Sequence, residues 1–156
     1  SQTECEYPKI KRAFLFSCLT GLRRSDILKL TWGEVHQQGD FTRIIFRQKK
    51  TGGQEYLDIT QQAAELMGER GKPNDKVFTD IYSPTCTNEA IKRWVLRAGI
   101  NKEITFHCAR HTFAVLMLDL GTDIYTVSKL STTQIYAKVL DKKKQEAVAM
   151  IPKIIE

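Results

Sequence analysis

The most restrictive feature of this sequence is a segment without a polar face, from Lys9 to Leu19. Its apolar residues fall on nearly every side of a helix: Ile10, Phe14, Leu15, Phe16, Cys18 and Leu19. A helix that is apolar all round is covered by other elements instead of lying on a surface. Gly21, which can adopt the left-handed conformation that closes helices, lies just beyond it. The pattern predicts a buried helix that ends at Gly21.

The length of the chain limits it to one core. The 156 residues, 42% of them hydrophobic, can bury one substantial core and are too few for two comfortable domains. We therefore expect a single domain over 1–156. No segment approaches the roughly 20 consecutive apolar residues that span a bilayer, and Ser1 to Lys9 lacks the pattern of a signal peptide. We expect a cytoplasmic protein.

The remaining elements are mostly short helices. They are predicted at Arg24 to Leu30, Gln61 to Arg70, Asn88 to Ala98, Phe106 to Leu120, Ile124 to Leu130 and around Tyr136. Two segments rich in β-branched and aromatic residues, Phe41 to Arg47 and Gln54 to Ile59, predict a β-hairpin with its turn at Lys50-Thr51-Gly52-Gly53. The fold class is mainly α with a small antiparallel β-sheet (α+β).

The charge of the chain indicates a polyanion as partner. The formal net charge is +6, and the excess of basic residues lies towards the two ends of the chain and not in its middle. A basic surface attracts nucleic acid because neutralised phosphates release condensed counterions. The same charge also favours simple solubility, so composition alone leaves the partner undecided.

The four cysteines form no recognisable disulfide or metal pattern. None lies in a C-x-x-C pair, so neither a disulfide framework nor a four-ligand zinc site is indicated. One imaginable metal group consists of Cys86, His107, Cys108 and His111. Its spacing differs from the two tight pairs of a usual zinc site. We expect no metal and no other cofactor.

Four local clusters place cationic or nucleophilic groups near predicted element ends: Thr20 to Arg24, Lys49 to Gly52, His107 to His111 and Thr132 to Tyr136. Each cluster alone has an ordinary explanation. Arg23 is typical of a solvated helix start, Lys50 of a soluble hairpin tip, and Tyr136 of an amphipathic core residue. His107 and Arg110 are spaced to form a structural pair on one helix face.

The order of the clusters is more specific, because together they resemble the tyrosine recombinase (phage integrase) family over nearly the whole chain. The family's first arginine lies in a Thr-Gly-Leu-Arg segment followed by Ser, an acidic residue and Ile-Leu, which residues 20–28 match with Arg23 in that place. The family's lysine lies in the turn of a β-hairpin, which Lys50-Thr51-Gly52 matches. Lys50 is the preferred match to the family's lysine, and Lys49 is the alternative.

Two further motifs extend the resemblance. The family's His-x-x-Arg box is matched by His107 and Arg110 within Thr105 to Ala114, the most specific segment in the sequence. The nucleophile's usual Thr-x-x-Tyr setting is matched by Thr133-Gln134-Ile135-Tyr136. Five of the six usual active-site positions are thus filled.

The resemblance implies the catalytic domain of a site-specific recombinase, with the fold that breaks and rejoins DNA for DNA integration or recombination by a mobile genetic element. Tyr136 is then the nucleophile, Lys50 the general acid and His107 the general base. Arg23 and Arg110 form the phosphate clamp. The implied intermediate is a covalent 3′-phosphotyrosine, made without metal or ATP. The implied partners are double-stranded DNA and further copies of the protein, as a dimer to tetramer.

The residue types suit that chemistry on physical grounds. Phosphate oxygens gain negative charge during displacement, and fixed guanidinium groups stabilise it because they stay charged and bind two oxygens at once. A lysine that contacts the phosphate can protonate the departing 5′ oxygen, which is worth roughly 10²–10⁴ in rate. Tyrosine, with a usual pKa of about 10, needs neighbouring cations or a base to favour loss of its proton.

The sequence departs from the family pattern in three places. Family members usually carry a Leu-Gly-His-like segment, with a His or Trp at the phosphate, where this chain runs directly from Leu130 to Ser131. A connection between helices usually takes about 2–8 residues, so this junction leaves little room. Leu57-Asp58-Ile59 stands where Leu-Pro-Leu is common. In addition, we expect the DNA-clamping domain that precedes the catalytic domain in most members to be absent from this chain.

Three alternative functions stay open. A type IB topoisomerase shares the tyrosine chemistry but relaxes a single duplex, and the settings of Arg23 and His107 look more like those of recombinases. A non-catalytic DNA-binding module of the same fold gains weight from the junction between Leu130 and Ser131. A helical domain with a fortuitous basic surface requires four ordered motifs to coincide by chance.

Overall fold

The computed structural model describes residues 3–39, 41–47 and 54–123, with the backbone alone at positions 47, 54 and 55. The chain forms two compact units, residues 1–113 and 114–156. The elements described below belong to the first unit, and only the last turns of the final helix belong to the second. The expectation of a single domain over 1–156 stays a prediction.

The predicted buried helix is present as α1, Pro8–Thr20. It begins at Pro8, where a missing N–H costs no hydrogen bond. Gly21 ends it with a left-handed φ of 70°, and the Gly21 N–H donates to the Ser17 carbonyl at 2.9 Å. Residues on several faces of α1 are buried: Ile10, Ala13, Phe14, Phe16, Ser17, Cys18 and Thr20. The prediction of a buried helix closed by Gly21 is confirmed.

A short helix and a strand follow α1. Helix α2 spans Arg24–Ile27 and ends before the predicted Leu30. A 3₁₀ turn, Trp32–Glu34, then leads into strand β1, Val35–Gln38. The sequence pattern does not predict β1, because Val35 is the only apolar residue in it and the other three positions are exposed.

The predicted hairpin has the predicted bounds. Strand β2 spans Phe41–Arg47 and strand β3 spans Gln54–Ile59, and the sheet is antiparallel in the order β1-β2-β3. The prediction is accurate because buried and exposed side chains alternate along these strands. Ile44 and the last residue of β3 face the core, whereas Tyr56 and Asp58 are exposed. The predicted turn at 50–53 lies outside the described residues.

Three further helices are described: α3, Gln61–Glu65; α4, Pro84–Arg97; and α5, Cys108–Asp119. Helix α3 stops short of the predicted Arg70 because the chain turns at Gly68, whose φ is +80°. Helix α4 begins before the predicted Asn88, since the Ser83 hydroxyl caps it and Pro84 suits its first position. The predicted helices from Ile124 to Leu130 and around Tyr136 lie outside the described residues.

Aromatic side chains of α1 lie at the centre of the core of the first unit. Phe14 packs edge to face against Trp94 of α4 and against Phe106, at centroid distances of 6.0 and 5.9 Å. Phe16 packs against Phe78 at 5.0 Å.

Helices packed around one small antiparallel sheet confirm the predicted fold class. None of the helices in the described residues is long and apolar enough to cross a bilayer.

Burial of Cys18 in α1 predicts an unreactive thiol. Desolvation raises the pKa of Cys18 from its ordinary 9.0 to about 11, because the thiolate loses its hydration. Since the thiolate is the form that reacts with iodoacetamide, we expect alkylation of the exposed Cys86 first and of Cys18 only after unfolding in urea. Timed quenching and peptide mass mapping measure both rates. Equal rates in the native protein would contradict the burial of Cys18.

Candidate active site

The turn Thr20-Gly21-Leu22-Arg23 is fixed by hydrogen bonds from two buried hydroxyl groups. Ser17 Oγ donates to the Leu22 carbonyl at 2.8 Å, and Thr20 Oγ1 donates to a carbonyl one turn back in α1 at 2.7 Å. The backbone of Arg23 is extended, and its carbonyl accepts hydrogen bonds from the N–H groups of Asp26 and Ile27 in α2. The backbone of Arg23 is therefore anchored on both sides.

Two adjacent arginines, Arg23 and Arg24, have different surroundings. Arg24 Nη2 donates to the Tyr82 carbonyl, and Arg24 Nε is buried. The Arg23 side chain is half-buried, and no residue in the described part of the chain forms a hydrogen bond or ion pair with it. A guanidinium carries five N–H donors, so Arg23 keeps the capacity to bind an anion. These contacts favour Arg23 over Arg24 as the anion-binding arginine.

The segment that leads into α5 is fixed through Phe106. The Phe106 N–H donates to Asn88 Oδ1 of α4 at 2.9 Å, and the Phe106 ring is buried against Phe14. In the turn that follows, the Arg110 N–H donates to the His107 carbonyl at 3.1 Å. His107 therefore immediately precedes α5, and Arg110 lies in its first turn.

The three polar side chains at the start of α5 differ in exposure. His107 is exposed, His111 is half-buried, and Arg110 is only 7% exposed. The rings of His107 and His111 are nearly perpendicular, at 88°, with centroids 4.8 Å apart. Burial lowers the pKa of His111 below its ordinary 6.5, and the nearby guanidinium of Arg110 lowers it further. Both effects favour the neutral form of the His111 ring.

The Arg23 turn packs directly on α5. A Cβ atom at position 21 would lie 2.5 Å from Cδ1 of Phe113, so the ring excludes any side chain larger than that of Gly21. Gly21 comes two residues before Arg23, and Phe113 comes about one helical turn after Arg110. The contact therefore places the two predicted phosphate-binding arginines on neighbouring segments.

The described part of the chain contains three of the predicted site residues, Arg23, His107 and Arg110. Lys50, its alternative Lys49, and Tyr136 lie outside the described residues. The roles of all five predicted site residues stay predictions. The pairing of β2 with β3 extends to Arg47 and Gln54. Within residues 3–39, 41–47 and 54–123 no group of three or more His, Cys, Asp or Glu side chains could hold a metal ion.

Two side chains that shape the site are missing from the sequence-based prediction. His111 contacts the His107 ring, and the signal for it is the spacing of four residues, which brings side chains together on a helix. Asn88 holds the Phe106 N–H from 18 residues away. No local pattern predicts that contact, because it depends on how α4 packs beside the start of α5.

Residues 1–143 match the phage integrase family. The chain belongs to this family. The tyrosine recombinase XerD of Shewanella oneidensis is 33% identical over 150 residues, which covers 81% of this chain and 48% of the relative. XerD of Pseudomonas putida is 31% identical over 151 residues, with 85% and 49% covered. This phage integrase family chain thus spans about half the length of these curated relatives.

Solved structures share the fold of this integrase family chain. The XerH site-specific recombinase bound to its difH substrate aligns with a TM-score of 0.70 and 20% identity, over 92% of this chain and 47% of that one. The catalytic domain of bacteriophage HP1 integrase gives 0.61 and 23%, over 96% and 86%. The Tn1549 transposon integrase in complex with circular intermediate DNA gives 0.58 and 17%, over 80% and 50%. The predicted tyrosine recombinase catalytic-domain fold is confirmed.

Replacing Gly21 by alanine should destabilise the protein more than the same change at an open glycine. Gly21→Ala must hold a left-handed φ, at roughly 1–2 kcal/mol, and must also displace the Phe113 ring. Gly99→Ala is the control, because Gly99 has a φ of 77° but nothing within 4 Å of an added Cβ. Urea unfolding should show a loss at Gly21 that exceeds the control by about 1–3 kcal/mol. Equal losses would contradict the close contact with Phe113.

Proposed function

We propose that this chain cleaves and rejoins DNA strands as the catalytic domain of a site-specific recombinase or integrase, through a covalent 3′-phosphotyrosine at Tyr136. The observation that carries the proposal is the packing of the Arg23 turn on Phe113 of α5, which comes about one helical turn after Arg110. Membership of the phage integrase family supports the reaction class. The contact between Gly21 and Phe113 supports a single phosphate site formed by both segments.

Arg23 and Arg110 form the proposed phosphate clamp. Charge that develops on phosphate oxygens is best stabilised by cations already in place, because no reorganisation is then needed during the reaction. Arg110 is held by burial of nearly all its surface, and the Arg23 backbone is anchored by the turn before α2. Both guanidinium groups stay charged and can each bind two oxygens.

The bonds and protons of the proposed reaction balance without a cofactor. The Tyr136 oxygen attacks phosphorus, which forms a phosphotyrosine bond and breaks the bond to the 5′ oxygen. His107 accepts the tyrosine proton, and Lys50 donates a proton to the departing 5′ oxygen. A 5′ hydroxyl then attacks the phosphotyrosine and restores the tyrosine. The phosphodiester bond energy is kept throughout, so neither ATP nor a metal is required.

The proposed substrate is double-stranded DNA inside the cell. The net charge of +6 favours a polyanion as the binding partner. The solved structure of the Tn1549 transposon integrase, which has the same fold, is in complex with circular intermediate DNA. Joining two DNA sites needs more than one active site, so we propose that copies of the protein act as a dimer to tetramer on DNA. We propose that residues 1–156 supply one catalytic domain of this assembly.

A non-catalytic DNA-binding module is the second candidate. The observation that favours it is the direct junction of Leu130 with Ser131, where the family usually carries the segment that supplies a sixth active-site residue. Such a module keeps the salt-dependent attraction of the basic surface for phosphates but forms no bond to DNA. The trapping experiment below separates the two candidates.

Covalent trapping tests the proposed nucleophile. A pool of duplexes with randomised sequence carries a nick beside the cleavage position, so that the short fragment released by cleavage diffuses away and the adduct accumulates. We expect a DNA adduct that survives denaturing electrophoresis, maps to the peptide containing Tyr136, and disappears in Tyr136→Phe. Salt-sensitive binding without any adduct would favour the binding module. Strand exchange between two labelled duplexes, made from the sequence recovered, distinguishes a recombinase from a topoisomerase.

Lysine substitutions test the phosphate clamp. Arg23→Lys and Arg110→Lys keep the charge but lose the planar fork, so each should slow adduct formation by about 10²-fold or more. Arg97→Lys is the matched control, because Arg97 is an exposed residue of α4 paired with Glu6. Single-turnover rates at saturating protein measure the effect apart from DNA affinity. Equal rates for all three variants would remove Arg23 and Arg110 from the site.

A further inference from the structure

The ring of His111 lies against the side chain of His107. Among residues 3–39, 41–47 and 54–123, only His111 forms a ring contact, hydrogen bond or ion pair with it. His107 is otherwise exposed and lies just outside α5. An exposed side chain before a helix has several rotamers open to it, and a proton acceptor with unrestricted rotamers spends only part of its time in a productive orientation.

We propose that His111 is a positioning residue that holds the His107 imidazole towards the scissile phosphate. This inference rests on the proposed function, in which His107 accepts the proton of Tyr136. His111 acts through the ring of His107 and does not itself touch the DNA.

The geometry of α5 supports this role. A helical side chain leans towards the N-terminus and covers the turn before its own Cα atom. His111 therefore leans over the start of α5, where His107 lies, and the two rings meet almost at right angles with centroids 4.8 Å apart. His111 is half-buried, so burial restricts its own motion. A restricted ring can in turn limit the orientations of the exposed one.

The charge of His111 suits the same role. Burial lowers the pKa of His111, and the nearby guanidinium of Arg110 lowers it further, which favours the neutral form of the ring. When His107 takes up the tyrosine proton it becomes an imidazolium. A neutral neighbour does not repel that cation, whereas a second imidazolium at this distance would. The ring contact can therefore persist before and after proton transfer.

A double-mutant cycle separates positioning from a general structural role. Adduct formation is measured in single turnover on the duplex recovered from the randomised pool, with DNA affinity and thermal stability measured alongside. We expect His111→Ala to slow the reaction by about tenfold or more with DNA affinity unchanged. His111→Phe, which keeps a flat ring, should restore most of the rate. In a His107→Ala background, His111→Ala should change the rate by less than about twofold.

Two results in this cycle would overturn the inference. One is an equal slowing by His111→Ala in both backgrounds, which would mean that His111 acts independently of His107. The other is a Phe variant no faster than the Ala variant, which would mean that a ring at this position does not matter.

Nuclear magnetic resonance of the free protein tests the contact without relying on catalysis. With labelled histidine, and with His107 assigned through His107→Ala, the His107 ring signals should shift in His111→Ala because the perpendicular ring is removed. His111→Phe should keep signals displaced by a ring in the same place. Unmoved His107 signals in both variants would overturn the inference. Absence of any adduct from the native chain would instead count against the proposed function, and the resonance comparison would still decide the contact.

Discussion

The ring of Phe113 fills the space in which any residue other than glycine at position 21 would place its Cβ atom. This contact sets the position of the Arg23 turn against α5, and both segments of the candidate site depend on it. Glycine is needed at position 21 for two reasons. The chain must adopt a left-handed φ there to end α1, and the Phe113 ring leaves no room for a Cβ atom. Local backbone geometry and tertiary packing thus both require glycine at position 21.

Helix α1 also links the Arg23 turn to the segment that leads into α5. The Arg23 turn continues directly from its C-terminal end, while Phe14 in its middle packs against Phe106, two residues before α5. Because α1 is buried on several faces, neither segment can shift without disturbing the core. The hydrogen bond from Phe106 N–H to Asn88 adds a tie to α4. In the proposed phosphate site, the backbone segments that carry Arg23 and Arg110 are thus fixed before a phosphate arrives, which favours electrostatic catalysis.

Much of the fold could be predicted from the sequence because several elements have strong patterns. The apolar helix α1 and the alternating hairpin strands follow from periodicity alone, whereas β1 has almost no apolar residues to mark it. The motifs predict Arg23, His107 and Arg110 as site residues, and these roles stay predictions. Arg23 and Arg110 lie on segments joined by the contact of Gly21 with Phe113. Contacts between distant segments, such as that of Asn88 with Phe106, depend on packing and leave no local signal.

A crystal structure of the Tyr136→Phe variant bound to the duplex recovered by trapping tests the central claim most directly. The account predicts that the guanidinium groups of Arg23 and Arg110 contact non-bridging oxygens of one phosphate, at donor-to-acceptor distances of about 2.7–3.2 Å, with the His107 ring facing the substituted position 136. Contacts of the two arginines with different phosphates, or an Arg23 side chain that faces solvent, would contradict it.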